Sequence, residues 1–107
     1  MFTEAALAHG RATEAGDSRL ANKQSDALEA LRKEFERRGA EGQEALLTLM
    51  RHNEAWVQLW ASAYGLLCVP QHAEPVLVKL SLAPGLCGFT AETTLEEWRK
   101  GSLRFED

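Results

Sequence analysis

Residues 54–68 read Glu54-Ala55-Trp56-Val57-Gln58-Leu59-Trp60-Ala61-Ser62-Ala63-Tyr64-Gly65-Leu66-Leu67-Cys68. Turned at about 100° per residue, as a helix requires, this segment carries apolar side chains over well more than half of its circumference. Only Glu54, Gln58, Ser62 and Gly65 form a polar or small stripe. A helix that is apolar nearly all round must be packed on several sides. The segment therefore predicts a central helix, and the rest of the chain must supply the helices that wrap it.

Working outward, the punctuation marks helix after helix. Thr3 is placed to cap a first helix that ends near Ala15, with Gly16 as its left-handed stop. Asp17 or Ser18 caps a longer helix to about Arg38, closed by Gly39. In it Leu20, Ala27, Leu28, Leu31 and Phe35 form one apolar stripe, with Gln24 inside the stripe as a core amide. Lys23, Asp26, Glu29, Arg32, Lys33, Glu36 and Arg37 fall on the remaining, solvated face. A third helix is expected from Glu41 to Arg51, broken by His52-Asn53, and the central helix from about Glu54 to Cys68. Pro70 suits the first turn of a fifth helix reaching Leu82, with Pro75 able to move its start to about Glu74. Pro84-Gly85 and Gly88 predict an irregular loop around Cys87. Thr93-Thr94-Leu95-Glu96 matches a capping box that opens a short helix through Trp98, closed by Gly101. The tail Arg104–Asp107 reads as frayed. The expectation is an all-α single domain of about five to six helices in antiparallel pairs. Residues 1–40 supply the N-terminal helices, 41–82 the repeat-like helices, and 83–107 a loop and a short C-terminal helix.

The segment Ala45 to Ala61 resembles a HEAT-type repeat, in which a leucine-rich helix meets a polar turn and a second helix opening with Val-Arg-x-x-Ala. Val57, Gln58 and Ala61 hold those last positions, glutamine standing in place of the usual arginine. The chain as a whole resembles a small bacterial family of HEAT-like proteins catalogued as domain of unknown function 2019. The residues that carry this are Gly16-Asp17, Asn22, Arg38-Gly39, Leu46-Leu47-x-Leu49 to Ala61, and Thr94-Leu95-x-x-Trp98-x-x-Gly101. That resemblance implies a compact array of paired helices, and HEAT-like arrays generally act as protein-binding scaffolds.

Composition narrows the function. The 107 residues are 45% hydrophobic and 26% charged, with 12 Lys/Arg against 16 Asp/Glu and a formal net charge of −4. An acidic chain is poorly suited to tracking phosphates, so no nucleic-acid partner is expected. The one basic cluster, Arg32-Lys33 with Arg37-Arg38, is interleaved with Glu29, Glu34 and Glu36, which favour pairing within the helix. No run approaches the length of a membrane span, and no membrane partner is expected. The absence of a signal-like opening and of paired cysteine spacings predicts a cytoplasmic protein with two buried thiols, Cys68 and Cys87.

Catalytic and metal patterns are sparse. Cys68 and His72 are four residues apart and form the candidate pair for a small enzyme, but Pro70 between them marks a helix boundary. Cys68, His72 and Cys87 lack the paired spacings of a zinc site. No cofactor and no metal are expected. His9 and His52 read as solvent-facing or capping. The remaining candidates for function are His52, Glu54, Trp56, Gln58, Glu96, Glu97 and Trp98, taken as a partner-binding set. Trp60 reads as core, whereas Trp56 and Trp98 stay divided between core and interface. Residues 66–91 hold only Glu74 and Lys79 as charges, so this stretch is either core or an exposed apolar surface awaiting a partner. The expectation is a non-enzymatic protein-interaction module, monomeric or weakly homodimeric. Its specific version is an immunity or antitoxin-type protein whose acidic surface masks a basic partner.

Overall fold

The computed structural model describes residues 1–103 and builds them into six helices: α1 (Phe2–Ala15), α2 (Ser18–Arg38), α3 (Ala40–Leu49), α4 (Ala55–Gly65), α5 (Pro70–Ser81) and α6 (Gly85–Arg99). No strand occurs among the described residues. The fold is all-α. Consecutive helices pack on one another through short connections, and α1 folds back onto α4 and touches α6. The central position of α4 follows. Helices α1, α3, α5 and α6 surround it, and Val57, Leu59, Ala61, Ser62, Ala63, Tyr64 and Gly65 are buried within it. Even the small stripe goes inside, the Ser62 hydroxyl being satisfied by the Gln58 and Leu59 carbonyls at 2.6 and 3.1 Å. The radius of gyration, 12.7 Å, is close to the roughly 13 Å of a compact 100-residue chain.

Local chemistry explains most boundaries. Gly16 adopts φ 76°, the left-handed conformation that ends α1. Asp17, not Ser18, caps α2, its carboxylate accepting the Leu20 N–H at 3.1 Å. Helix α5 starts at Pro70 and runs through Pro75 without restarting. Its first turn is fixed because the Val69 carbonyl accepts the N–H groups of both His72 and Ala73, and Ala73 is buried.

Several expectations are corrected. Thr3 does not cap α1, which begins at Phe2 behind Met1. Helix α3 stops at Leu49 and α4 at Gly65, short of Arg51 and Cys68. The stretch around Cys87 is not an irregular loop, because α6 starts at Gly85 and buries Cys87, Gly88, Ala91 and Leu95 along one face. The capping box consequently does not form. Thr93 and Thr94 lie mid-helix and donate their hydroxyls to the Phe89 and Thr90 carbonyls at 3.1 and 2.8 Å. On α2 the buried face is turned from the expected one. Leu28 and Arg32 are buried, Leu20 and Ala27 are exposed, and Gln24 lines an open groove between α1 and α2. Of the two thiols, Cys87 is buried and Cys68 is exposed in the turn after α4. The predicted fraying of Arg104–Asp107 lies outside the described residues.

Gly88 lets α6 pass close to the end of α5, since a β-carbon there would collide with the Ala83 carbonyl. Alanine is the better helix former by about 1 kcal/mol, yet Gly88→Ala is expected to destabilise the protein by about 1–3 kcal/mol through overpacking. Urea unfolding checks this, and a stabilised variant would contradict the close approach.

Candidate interaction surface

The polar turn before α4 builds its own cap. No side chain caps the helix at Glu54. Instead the His52 ring Nδ1 accepts the Glu54 N–H at 3.0 Å, and the Gln58 amide donates to the His52 carbonyl. His52 is thus a capping residue, and Gln58 is committed to the same turn. Trp56 lies over Gly10 of α1, where any β-carbon would strike its ring. Its indole Nε1 donates to Glu14 at 3.0 Å. Both Trp56 and Trp60 are half-buried against the core.

His9 is not solvent-facing. Its ring stands edge-on to Trp60 at 4.8 Å and to Trp56 at 6.0 Å, and burial pushes its pKa down. The aromatic contacts continue from Trp60 to Tyr64, then to Phe2 and Phe35. This row stitches α1 and α2 to α4. Because Phe2 meets Tyr64 near the end of α4 while Gly10 meets Trp56 near its start, α1 and α4 run antiparallel.

The candidate residues fall on two elements. His52, Glu54, Trp56 and Gln58 lie in the turn before α4 and at its start, whereas Glu96, Glu97 and Trp98 lie in the last turns of α6. Trp98 is half-buried against the core, Glu96 is exposed, and Glu97 accepts the Ser102 hydroxyl at 2.5 Å. His52, Glu54, Trp56 and Gln58 therefore form one cluster and Glu96, Glu97 and Trp98 another.

A cation that no sequence pattern marks is buried at the junction of α2, α3 and α4. Arg32 is 5% exposed. It donates to Glu29 at 2.6 Å and to Glu36 at 2.5 Å, one turn to either side. Burial opposes its charge, but the two carboxylates outweigh burial and push its pKa up. Tyr64 beside it is pushed up by burial first and then by the Glu29 charge, so its phenol stays protonated. These residues border a cavity of about 260 Å³ that Phe35, Gln43, Leu46, Leu67 and Cys68 also line. The other arginines of the basic cluster pair as expected, Arg37 and Arg38 both with Glu34.

Partial desolvation pushes the pKa of the Cys68 thiol up, away from the thiolate form, even in its exposed turn, and His72 is exposed on the first turn of α5. Among the described residues no group of three His, Cys, Asp or Glu side chains is placed to hold a metal ion. No described helix is long and apolar enough to cross a membrane.

Residues 66–91 divide between the two alternatives. Leu66, Val69, Ala73, Leu77, Leu80, Cys87 and Ala91 are buried, whereas Leu67, Val78, Leu82, Leu86 and Phe89 are exposed. Four of the exposed residues gather where α5 turns into α6. Leu82 is 82% and Phe89 65% exposed. Residues 80–91 carry no charged side chain at all. Only helical spacing could have separated the two sets, since Ala73, Leu77 and Leu80 recur on one face and Val78 and Leu82 on another.

No family model, curated protein or solved structure matches the chain.

The His9 contact sets a pH dependence. The folded state lowers the His9 pKa below the 6.5 of the free side chain, so the unfolded chain binds more protons just below that pH. Stability is therefore expected to fall as pH drops through about 6.5 towards the folded pKa. His9→Phe keeps an aromatic ring and removes this step. Unfolding curves at neutral and mildly acidic pH check it, and an equal loss in both proteins would contradict the assignment.

Proposed function

We propose that this chain is a non-enzymatic protein-interaction module that buries the turn between α5 and α6 against another polypeptide. The observation that carries this reading is the exposed set Val78, Leu82, Leu86 and Phe89, the last three within the charge-free segment 80–91. Large apolar side chains gathered on a surface mark binding sites more often than scattered ones do. The core is closed without them, because Leu77, Leu80, Cys87 and Ala91 already fill the inner faces of the same two helices. The protonated Cys68 thiol supports the non-enzymatic half of the proposal, since the thiolate is the nucleophile. Cytoplasmic residence and kinship with the HEAT-like family belong to the same proposal.

A second reading, the immunity or antitoxin-type masking of a basic partner, draws on a separate observation. Arg32, Arg37 and Arg38 of α2 are paired with Glu29, Glu34 and Glu36 of the same helix, while Glu54 and Glu96 are exposed without an ion-pair partner among the described residues and the chain as a whole carries a net charge of −4. The uncompensated charge is therefore negative, and a basic partner would be steered to it with a rate that falls with salt.

The test uses the full chain as bait in its native host, beside a Leu82→Asp/Phe89→Asp variant checked for unchanged helicity and melting. Loss of at least about tenfold of the specifically captured protein, some 1.4 kcal/mol of binding, is the expected result. Equal capture by both baits would remove the α5–α6 turn from the interface.

A further inference from the structure

We propose that the polypeptide covering the α5–α6 turn is a second copy of this chain, joined across a two-fold axis. This inference rests on the interaction reading above and narrows its partner.

Charge carries the choice. Two identical chains of net charge −4 repel one another, so a second copy is least opposed at a face without charge. Residues 80–91 form such a face, and they include Leu82, Leu86 and Phe89 of the exposed row. The charges nearest the row are of opposite sign and lie on different helices. Lys79 of α5 is exposed one turn before Leu82, and Glu92 of α6 is exposed one turn after Phe89. Neither forms an ion pair among the described residues, whereas Glu74 and Arg99 nearby are already paired at 3.1 Å. A two-fold contact presents the same patch from both sides and must be self-complementary. An apolar row flanked by one cation and one anion meets that requirement, with α5 of each chain against α6 of the other. Lys79 then faces Glu92 of the second copy, and Val78, Leu82, Leu86 and Phe89 interdigitate between them. Four large side chains per chain make a small interface, so the dimer is weak, with Kd of about 10⁻⁵ to 10⁻⁴ M.

Sedimentation equilibrium of the full chain tests this. The average mass is expected to rise with concentration from one chain towards two. Leu82→Asp/Phe89→Asp is expected to remain a single chain up to about 1 mM, at least about tenfold weaker in association. Lys79→Glu and Glu92→Lys are each expected to weaken association, and combining them to restore it. A single-chain mass for the wild type up to about 1 mM would overturn the inference, as would undiminished association of the aspartate variant. Failure of the combined swap to recover would overturn the pairing of α5 with α6. A monomeric wild type whose aspartate variant still loses a captured host protein would sink the second-copy inference and leave the interaction reading standing.

Discussion

A short helix with almost no polar face, α4, imposes the constraint on which the rest of this structure depends. Seven of its eleven residues are buried, and no single neighbour can cover a helix on that many sides. A linear stack of helical pairs would leave one side of α4 open. The chain closes that side by folding α1 back, and the contacts that secure it are aromatic. His9 and Phe2 of α1 meet Trp60 and Tyr64 of α4, while Gly10 makes room for Trp56. Rings buried in edge-on contact contribute about 0.5–1.5 kcal/mol per pair beyond the area they hide. The closure also brings polar groups inside. His9 is held towards its neutral form, and the Trp60 Nε1 is buried without an acceptor among the described residues.

The buried Arg32 is the second consequence. Helix α2 buries Leu28, and the residue one turn later on that face is an arginine rather than a leucine. Isolated burial of a guanidinium would be prohibitive. Glu29 and Glu36 accompany it at hydrogen-bond distance, so the charge enters with its counter-ions already on the same helix. The cost of desolvating such a group often rivals its Coulombic gain. Its clearest effect is on orientation, fixing which face of α2 meets Tyr64 and leaving Ala27 and Gln24 to the open groove.

Much of this fold was legible in the residues. The nearly uniform apolarity of 54–68 identified the central helix, Gly16 and Gly39 punctuated the N-terminal half, and Pro70 marked the start of α5. The misses share a cause, which is that local patterns have more than one physical solution. Thr-Thr-Leu-Glu can begin a helix, yet threonine hydroxyls bond equally well to carbonyls one turn back, as Thr93 and Thr94 do. An arginine between two glutamates reads as a solvated face, but the same pairing lets it be buried. An isolated His9 gives no sign of tryptophans 47 and 51 residues away. The candidate surface was half legible. The scarcity of charge in 66–91 pointed to core or interface, and helical spacing on α5 was the one sequence signal that could set Leu77 and Leu80 apart from Leu82 before packing showed it.

The core around α4 closes without the exposed apolar side chains at the α5–α6 turn, which are surplus to it. Unfolding free energy in dilute solution, compared between the wild type and Leu82→Ser/Phe89→Ser, tests this most directly. Surplus side chains predict a change within about 0.5 kcal/mol, the range of ordinary surface substitutions. A loss of about 3 kcal/mol or more, the range of truncated core residues, would show that the turn is part of the core after all.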